Sequence, residues 1–229
     1  MFHIRRINTL ILSLLGGILI LYTQSLPPIQ SFPIEEYAAG NQNWMLTQGN
    51  NNQIFIANNE GVLSFDGERW KLYPSSSIVR SVAYFDNLLY SGSYMDFGYW
   101  TKQPSGELSY QSLVEEHNIE IIEDEQFWNI YKIEDNLVFQ SLNRILLFNR
   151  TTKEIKFIKP DKPILKSFVV DERLYFQLEG DGIYQYTPTG LSYLFGQSEF
   201  FDTEVIEIFP LSDGLRLLTS SKGFFTYRN

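Results

Sequence analysis

The chain lacks cysteine and has only two histidines, His3 and His117, among its 229 residues. Without cysteine, a disulfide, a thiolate metal site and a cysteine nucleophile are all excluded. A serine–histidine–aspartate triad would have to use His117, because His3 lies in the leader described below. No serine stands in a G-x-S-x-G sequence, and a histidine metal site lacks partners. We therefore expect a protein that is not an enzyme and that carries no metal or cofactor.

Basic residues are also scarce, and this affects the partners we expect. Eighteen Lys and Arg face 27 Asp and Glu, for a formal net charge of −9. Without Arg5 and Arg6 of the leader the net charge becomes −11. That is the wrong sign for neutralising phosphates, so we predict no nucleic-acid binding through this portion. A glycine-rich phosphate loop of Walker or Rossmann spacing is absent as well.

Residues 1–25 have the pattern of a targeting segment. Arg5 and Arg6 precede an apolar run, Ile7 to Tyr22, of about 16 residues, which is shorter than the ~20 that cross a bilayer comfortably. We interpret 1–25 as a signal peptide, with an uncleaved membrane anchor as the alternative. The mature chain, 26–229, is expected in the periplasm or on the extracytoplasmic face of the inner membrane.

A repeated stretch organises the rest of the chain. It is first seen as ANNEGVLSFDG, from Ala57 to Gly67, and its ninth position is always aromatic. The steps between these aromatic residues are 35, 48, 38 and 41 residues. A loose period of about 40 with strand-like content predicts an all-β fold, a β-propeller of four-stranded meander blades. The five ninth-place residues are Phe65, Trp100, Phe148, Tyr186 and Tyr227.

Turn signals between alternating apolar runs predict about five blades, which we expect to be part of a larger ring. Asp66-Gly67 is interpreted as a two-residue hairpin turn, and Val114 to Glu125 as a solvated acidic loop. The predicted blades begin near Trp44, Val79, Trp128, Leu165 and Val205. The last blade has no fourth strand. Either the extended lead-in, Pro27 to Tyr37, supplies that strand and closes a five-bladed ring, or the chain is a fragment of a longer propeller.

Several stretches resemble the N-terminal sensor propeller of bacterial one-protein regulators with two-component-type propeller repeats. They are Asn41-Gln42-Asn43-Trp44, Ala57 to Leu63, Arg69 to Pro74, Val79 to Val82, Gly92 to Trp100, and Phe139-Gln140-Ser141. In that family a periplasmic propeller is followed by a triple-tyrosine domain, a transmembrane helix and a cytoplasmic LuxR-type helix-turn-helix; a cousin group carries a histidine kinase.

The resemblance covers about residues 27–229 and implies a non-catalytic, ligand-sensing domain of a transcriptional regulator. It implies attachment to the membrane through the N-terminal segment or a missing C-terminal helix, and a homodimer in the full-length protein. These 229 residues contain no triple-tyrosine domain and no DNA-binding helix pair. We therefore expect a fragment that lacks the output domains.

A ligand site is predicted where the innermost strands of the blades begin, because these starts gather at one mouth of the central channel. Amides, an arginine and tryptophan rings suit a small polar ligand such as a carbohydrate. Packing between blades is the competing interpretation of Trp44, Trp100 and Trp128. The candidate ligand-binding residues are Asn41, Asn43, Trp44, Arg80, Glu125, Trp128, Lys166 and Glu204.

Two other functions stay open at this point. A secreted five-bladed carbohydrate-binding protein or glycoside hydrolase would be complete in 229 residues, with Glu125, Glu204 and Asp96 as candidate carboxylates. A scaffold propeller that binds another protein is the third reading.

Overall fold

The computed structural model describes residues 28–187 and 189–228, and the predicted leader lies outside them. The chain divides into two units, Met1–Pro33 and Ile34–Asn229. In the first unit, the described residues 28–33 have no regular secondary structure. None of the helices in the described ranges has the length and apolar character needed to cross a bilayer.

Five antiparallel meander sheets make up the second unit, and each is one blade. Blade one comprises β1 (Asn43–Gln48), β2 (Ile54–Asn58), β3 (Gly61–Phe65) and β4 (Trp70–Pro74). Blade two comprises β5 (Val79–Phe85), β6 (Leu88–Ser93), β7 (Phe97–Lys102) and β8 (Leu108–Ser112). Blade three comprises β9 (Asn129–Ile133), β10 (Asn136–Gln140), β11 (Ile145–Asn149) and β12 (Ile155–Ile158).

The last two blades differ in strand number. Blade four comprises β13 (Ile164–Val170), β14 (Arg173–Leu178), β15 (Ile183–Thr187) and β16 (Gly190–Phe195). Blade five has three strands in the described part of the chain, β17 (Val205–Leu211), β18 (Gly214–Thr219) and β19 (Phe224–Arg228). The predicted propeller blades are confirmed, and all five ninth-place aromatic residues lie on the third strand of their blade.

The turn chemistry explains the first hairpin of blade two. Asp86 and Asn87 both have positive φ, 50° and 64°, and join Phe85 to Leu88 as a two-residue turn. The same prediction for Asp66-Gly67 was wrong. The loop spans four residues there, because the Asp66 carboxylate accepts the backbone N–H of Glu68 and of Arg69 and holds a wider turn.

The hydrophobic core is divided into four clusters, each between two successive blades. Phe55 and Trp100 belong to the cluster between blades one and two, and Phe97 and Phe139 to the next. Leu147 and Phe176 join blades three and four, and blades four and five meet around Phe168 and Leu217. None of these buried clusters of described residues joins blade five to blade one.

Two connections differ from the sequence-based expectation. The lead-in was predicted to be extended, but a short helix, α1 (Ile34–Tyr37), forms there, and no described lead-in residue pairs with β19. The acidic connection was predicted to be a loop, but it starts with a second helix, α2 (Leu113–His117). Ser112 caps this helix by accepting the N–H of Glu115, and Asn118 ends it with φ 51°.

Candidate functional site

The first strand of each blade brings the predicted site residues toward one another. In sequence order, β1 neighbours β5, β5 neighbours β9, β9 neighbours β13, and β13 neighbours β17. These are the innermost strands of the propeller, and their starts lie at one end of it. Trp44 and Arg80 are each the second residue of such a strand, and Trp128 immediately precedes one.

Three of the predicted residues meet in one cluster. The Arg80 guanidinium carbon lies 4.0 Å from the centre of the Trp44 ring and 4.9 Å from that of Trp128. The two indoles approach edge to face, with centroids 5.7 Å apart and planes at 77°. Arg80 Nε donates a 2.6 Å hydrogen bond to Oε1 of Gln126. We call these four residues the Arg80 cluster; it places a cation in the corner between two indole rings.

The charge of the Arg80 cluster is not neutralised by the described residues. No carboxylate among them forms an ion pair with Arg80, and burial is the cause that lowers the pKa of its guanidinium. Arginine stays protonated in proteins, so the cluster keeps a full positive charge. Nη1 of Arg80 is shielded from solvent and has no hydrogen-bond partner in the described part of the chain.

The two tryptophans of the cluster are held differently. Trp44 donates its indole N–H to Oδ1 of Asn59 at 2.8 Å. Trp128 is fixed through its backbone N–H, which donates to the Gln140 carbonyl at 2.8 Å, and its indole N–H has no partner among the described residues. Trp44 also packs against the core between blades one and two, and Trp100 is buried there. The packing interpretation therefore holds for Trp100, while Trp44 and Trp128 are only half-buried.

Of the two predicted asparagines, Asn43 has a defined partner. Its Oδ1 accepts a 2.8 Å hydrogen bond from Asn58 Nδ2, which also donates to the Gly40 carbonyl. Both Asn41 and Asn43 are exposed. They stand three residues and one residue before Trp44, so they flank the entrance to the first inner strand.

Lys166 lies in a separate cleft of about 370 Å³ between the inner strands β9, β13 and β17. Its walls include the amide of Asn129, the ring of Tyr131 and the carboxylate of Glu207. Asn129 and Glu207 were not among the predicted residues. Both residues lie on inner strands, Asn129 one residue after Trp128 and Glu207 three residues after Glu204. That position is the signal that would have identified them.

Glu125 and Glu204 are not part of the Arg80 cluster. The Glu125 carboxylate is fully buried and accepts hydrogen bonds from Arg144 and from the hydroxyl of Ser141. Glu204 is exposed and lines a cleft on the blade-five side with Phe201 and Ser220. Gln126, which follows Glu125 directly, is the residue of this connection that reaches Arg80.

The described residues offer little for metal or acid–base chemistry. No group of three or more His, Asp or Glu within 28–187 and 189–228 is arranged to hold a metal ion. Asp96, a candidate carboxylate, accepts hydrogen bonds from Ser112 Oγ at 2.7 Å and from the Phe97 N–H at 2.8 Å. Burial raises the pKa of Asp96. The Asp96 carboxylate therefore links the start of β7 to the end of β8.

Comparison by sequence identifies no relative of this chain. No protein-family model matches it, and no curated protein does.

Comparison by structure finds propeller domains. The extracellular domain of BT4673 from Bacteroides thetaiotaomicron, described as part of a one-component system, superposes with a TM-score of 0.62 at 15% identity over 81% of this chain. The extracellular domain of BT3049 from the same organism, described as a hybrid two-component system, gives 0.55 at 17% identity over 87%. BBS1N in complex with ARL6DN gives 0.62 at 14% identity over 87%.

These comparisons confirm the resemblance to extracellular propellers of bacterial signalling proteins at the level of the fold. BBS1N superposes equally well, so the fold alone does not choose between functions. The chain spans 26% of the BT4673 structure and 32% of the BT3049 structure.

Proposed function

We propose that this chain is a portion of an extracytoplasmic sensor propeller of a bacterial signal-transduction protein, and that it binds a small polar ligand without catalysis. The observation that carries the proposal is the Arg80 cluster. It joins two half-buried indoles, a cation and an amide at the entrance of the inner strands, and the cation has no carboxylate partner among the described residues.

The chemistry of the Arg80 cluster favours a saccharide. Indole faces cover the C–H surfaces of a sugar ring, while Gln126, Asn41 and Asn43 supply amides that hydrogen-bond hydroxyl groups. The likeness to extracellular domains of signalling proteins supports the extracytoplasmic location and the sensing role. Attachment to the inner membrane, a homodimer in the full-length protein and a transcriptional output follow from the sequence resemblance.

Hydrolysis is disfavoured by the places that the candidate carboxylates occupy. Glycoside hydrolysis needs two carboxyl groups that flank one bond. Glu125 is tied to Arg144, and Asp96 accepts two hydrogen bonds from its own blade. Neither is therefore available to a substrate at the Arg80 cluster.

Ligand-induced thermal stabilisation of the purified chain tests the proposal. A panel of neutral and acidic mono- and oligosaccharides is screened at millimolar concentration, because a ligand at 100 times its Kd adds about 2.7 kcal/mol to folding stability. The shift in Tm should disappear in Trp44→Ala. Trp70→Ala is the matched control, since Trp70 is a half-buried tryptophan on the outermost strand of the same blade. A Tm shift that survives in Trp44→Ala, or no shift with any saccharide, contradicts the proposal.

A further inference from the structure

Arg80 differs from the other half-buried arginines in having no counter-ion among the residues that the structure describes. Arg144 pairs with Glu125 at 2.7 Å, and Arg150 pairs with Asp86. Arg80 pairs with no described carboxylate, although the chain carries 27 acidic residues and a net charge of −9. A partly desolvated cation is costly without a negative partner, so the other half-buried arginines show the arrangement that folding alone selects.

The environment of Arg80 leaves one part of its guanidinium unused. Two indoles lie against it, and Gln126 occupies Nε. Within the described part of the chain, neither Nη1 nor Nη2 has a hydrogen-bond acceptor. The pair Nη1 and Nη2 forms the end of the planar fork, which matches the two oxygens of a carboxylate.

We propose that Arg80 recognises the carboxylate of an acidic saccharide, end-on through Nη1 and Nη2, and that the Trp128 ring turns aside to admit it. This inference rests on the proposed function and narrows its ligand class. A single cation fits one carboxylate, and a doubly charged phosphate would need further basic groups that the Arg80 cluster lacks.

The assignment of Trp128 as the moving ring follows from its hydrogen bonds. Nη1 is shielded from solvent, so an anion reaches it only when a neighbouring group is displaced. Trp44 is held by the bond from its indole N–H to Asn59, whereas the Trp128 indole has no bond of this kind among the described residues. The ring with the lower cost of rotation is therefore Trp128.

Matched pairs of acid and methyl ester give a direct test. Galacturonate, glucuronate and N-acetylneuraminate are titrated into the purified chain beside their methyl esters, with isothermal calorimetry and intrinsic tryptophan fluorescence as readouts. At least one acid should bind about 10- to 100-fold more tightly than its ester, the range expected for a charge-assisted hydrogen-bonded pair. Binding of that acid should also change the fluorescence, and Trp128→Phe should reduce the change.

Arg80→Gln should remove the preference for the acid over the ester. Arg173→Gln should keep it, because Arg173 is exposed on the second strand of blade four and has no ion pair among the described residues. If acid and ester bind equally and Trp44→Ala abolishes both, the proposed function stands and the carboxylate inference is wrong. If a preference for the acid persists in Arg80→Gln, the inference is again wrong. If no saccharide binds, both proposals fail.

Discussion

Arg144 and Glu125 form a buried ion pair that ties the acidic connection to blade three. Arg144 Nη2 donates to Oε2 of Glu125 at 2.7 Å, and its Nε donates to Oε1 at 2.9 Å. The Glu125 carboxylate is 0% exposed and the Arg144 side chain 11%. Ser141 adds a 2.7 Å hydrogen bond to the same carboxylate. Glu125 therefore anchors the connection between blades two and three.

Replacing Arg144 by Met should destabilise the fold by about 3–5 kcal/mol, because it leaves the Glu125 charge buried without a partner. Urea denaturation at pH 7 measures the loss. The double variant Arg144→Met/Glu125→Gln should recover part of it. Lys71→Met is the control, since its ion pair with Glu107 is exposed to solvent and should contribute far less to stability than the buried pair does. An equal loss in both single variants would show that the buried pair has no special role.

Phe97 is the centre of the core between blades two and three. It is fully buried, with ring centroids 4.7 Å from Phe127 and 4.3 Å from Phe139. Phe97→Ala should lower the free energy of unfolding by about 3–5 kcal/mol, because the removed ring leaves a cavity. Phe224→Ala, at a ring that is 63% exposed, should cost less than about 1 kcal/mol. Comparable costs at the two positions would contradict the assignment of the core.

Gly98 on β7 has no room for a side chain. A Cβ there would lie 2.0 Å from the Gln111 carbonyl oxygen of β8 and 2.9 Å from the Tyr110 hydroxyl. Gly98→Ala should therefore separate the two strands, at a cost of roughly 3 kcal/mol or more. The comparison is Gly106→Ala, where open space surrounds the Cβ and only the φ of 87° is unfavourable, at about 1–2 kcal/mol. Thermal denaturation of both variants would rank them, and the reverse order would refute the steric account.

Asp96 should make a contribution to the free energy of unfolding that decreases as the pH rises through the acidic range. Burial raises its pKa above the ordinary value of 3.8, so the folded state binds this proton more tightly than the unfolded chain does. The contribution of Asp96 to stability is then complete below pH 3.8, and it is lost as the pH rises through the raised pKa. Urea denaturation across this window should show that Asp96→Asn removes this decrease.

Asp181 is the matched control with the opposite sign. Its hydrogen bond from Lys162, 2.8 Å long, lowers the pKa of the carboxyl. The stability from this pair is present above 3.8 and is lost as pH falls through the lowered pKa. Asp181→Asn should therefore reduce the loss of folding stability that accompanies acidification. If the Asp96 and Asp181 variants change the pH profile in the same direction, one of the two assignments is wrong.

Local turn chemistry made the blades predictable. Asp86-Asn87 both adopt positive φ in a two-residue turn, a conformation that these residue types tolerate, so strand ends could be read from the sequence. The Asp66 turn was mispredicted because its side chain bonds two backbone N–H groups and widens the loop. The same competition explains α2, whose Ser112 cap made a helix where a run of acids had suggested a solvated loop.

The candidate site could be predicted only in part from the sequence, and for a different reason. Trp44, Arg80 and Trp128 could be placed near one another because inner strands start at one end of a propeller. Glu125 was grouped with them because it begins the stretch, Glu125 to Trp128, that leads into the third inner strand. Its actual partner, Arg144, is 19 residues away and lies at the turn between the second and third strands of blade three, so no local pattern signals the contact.

The amino-acid sequence by itself determined the repeat, the strand content and the absence of cysteine chemistry, because periodicity and turn propensity are local properties of the chain. The tertiary structure decided which charges are neutralised. Glu125 is buried against Arg144, whereas Arg80 lies between two indoles and pairs with no carboxylate of the described residues. That difference depends on which blades face each other and on side-chain directions at their edges, and both are fixed only when the blades pack.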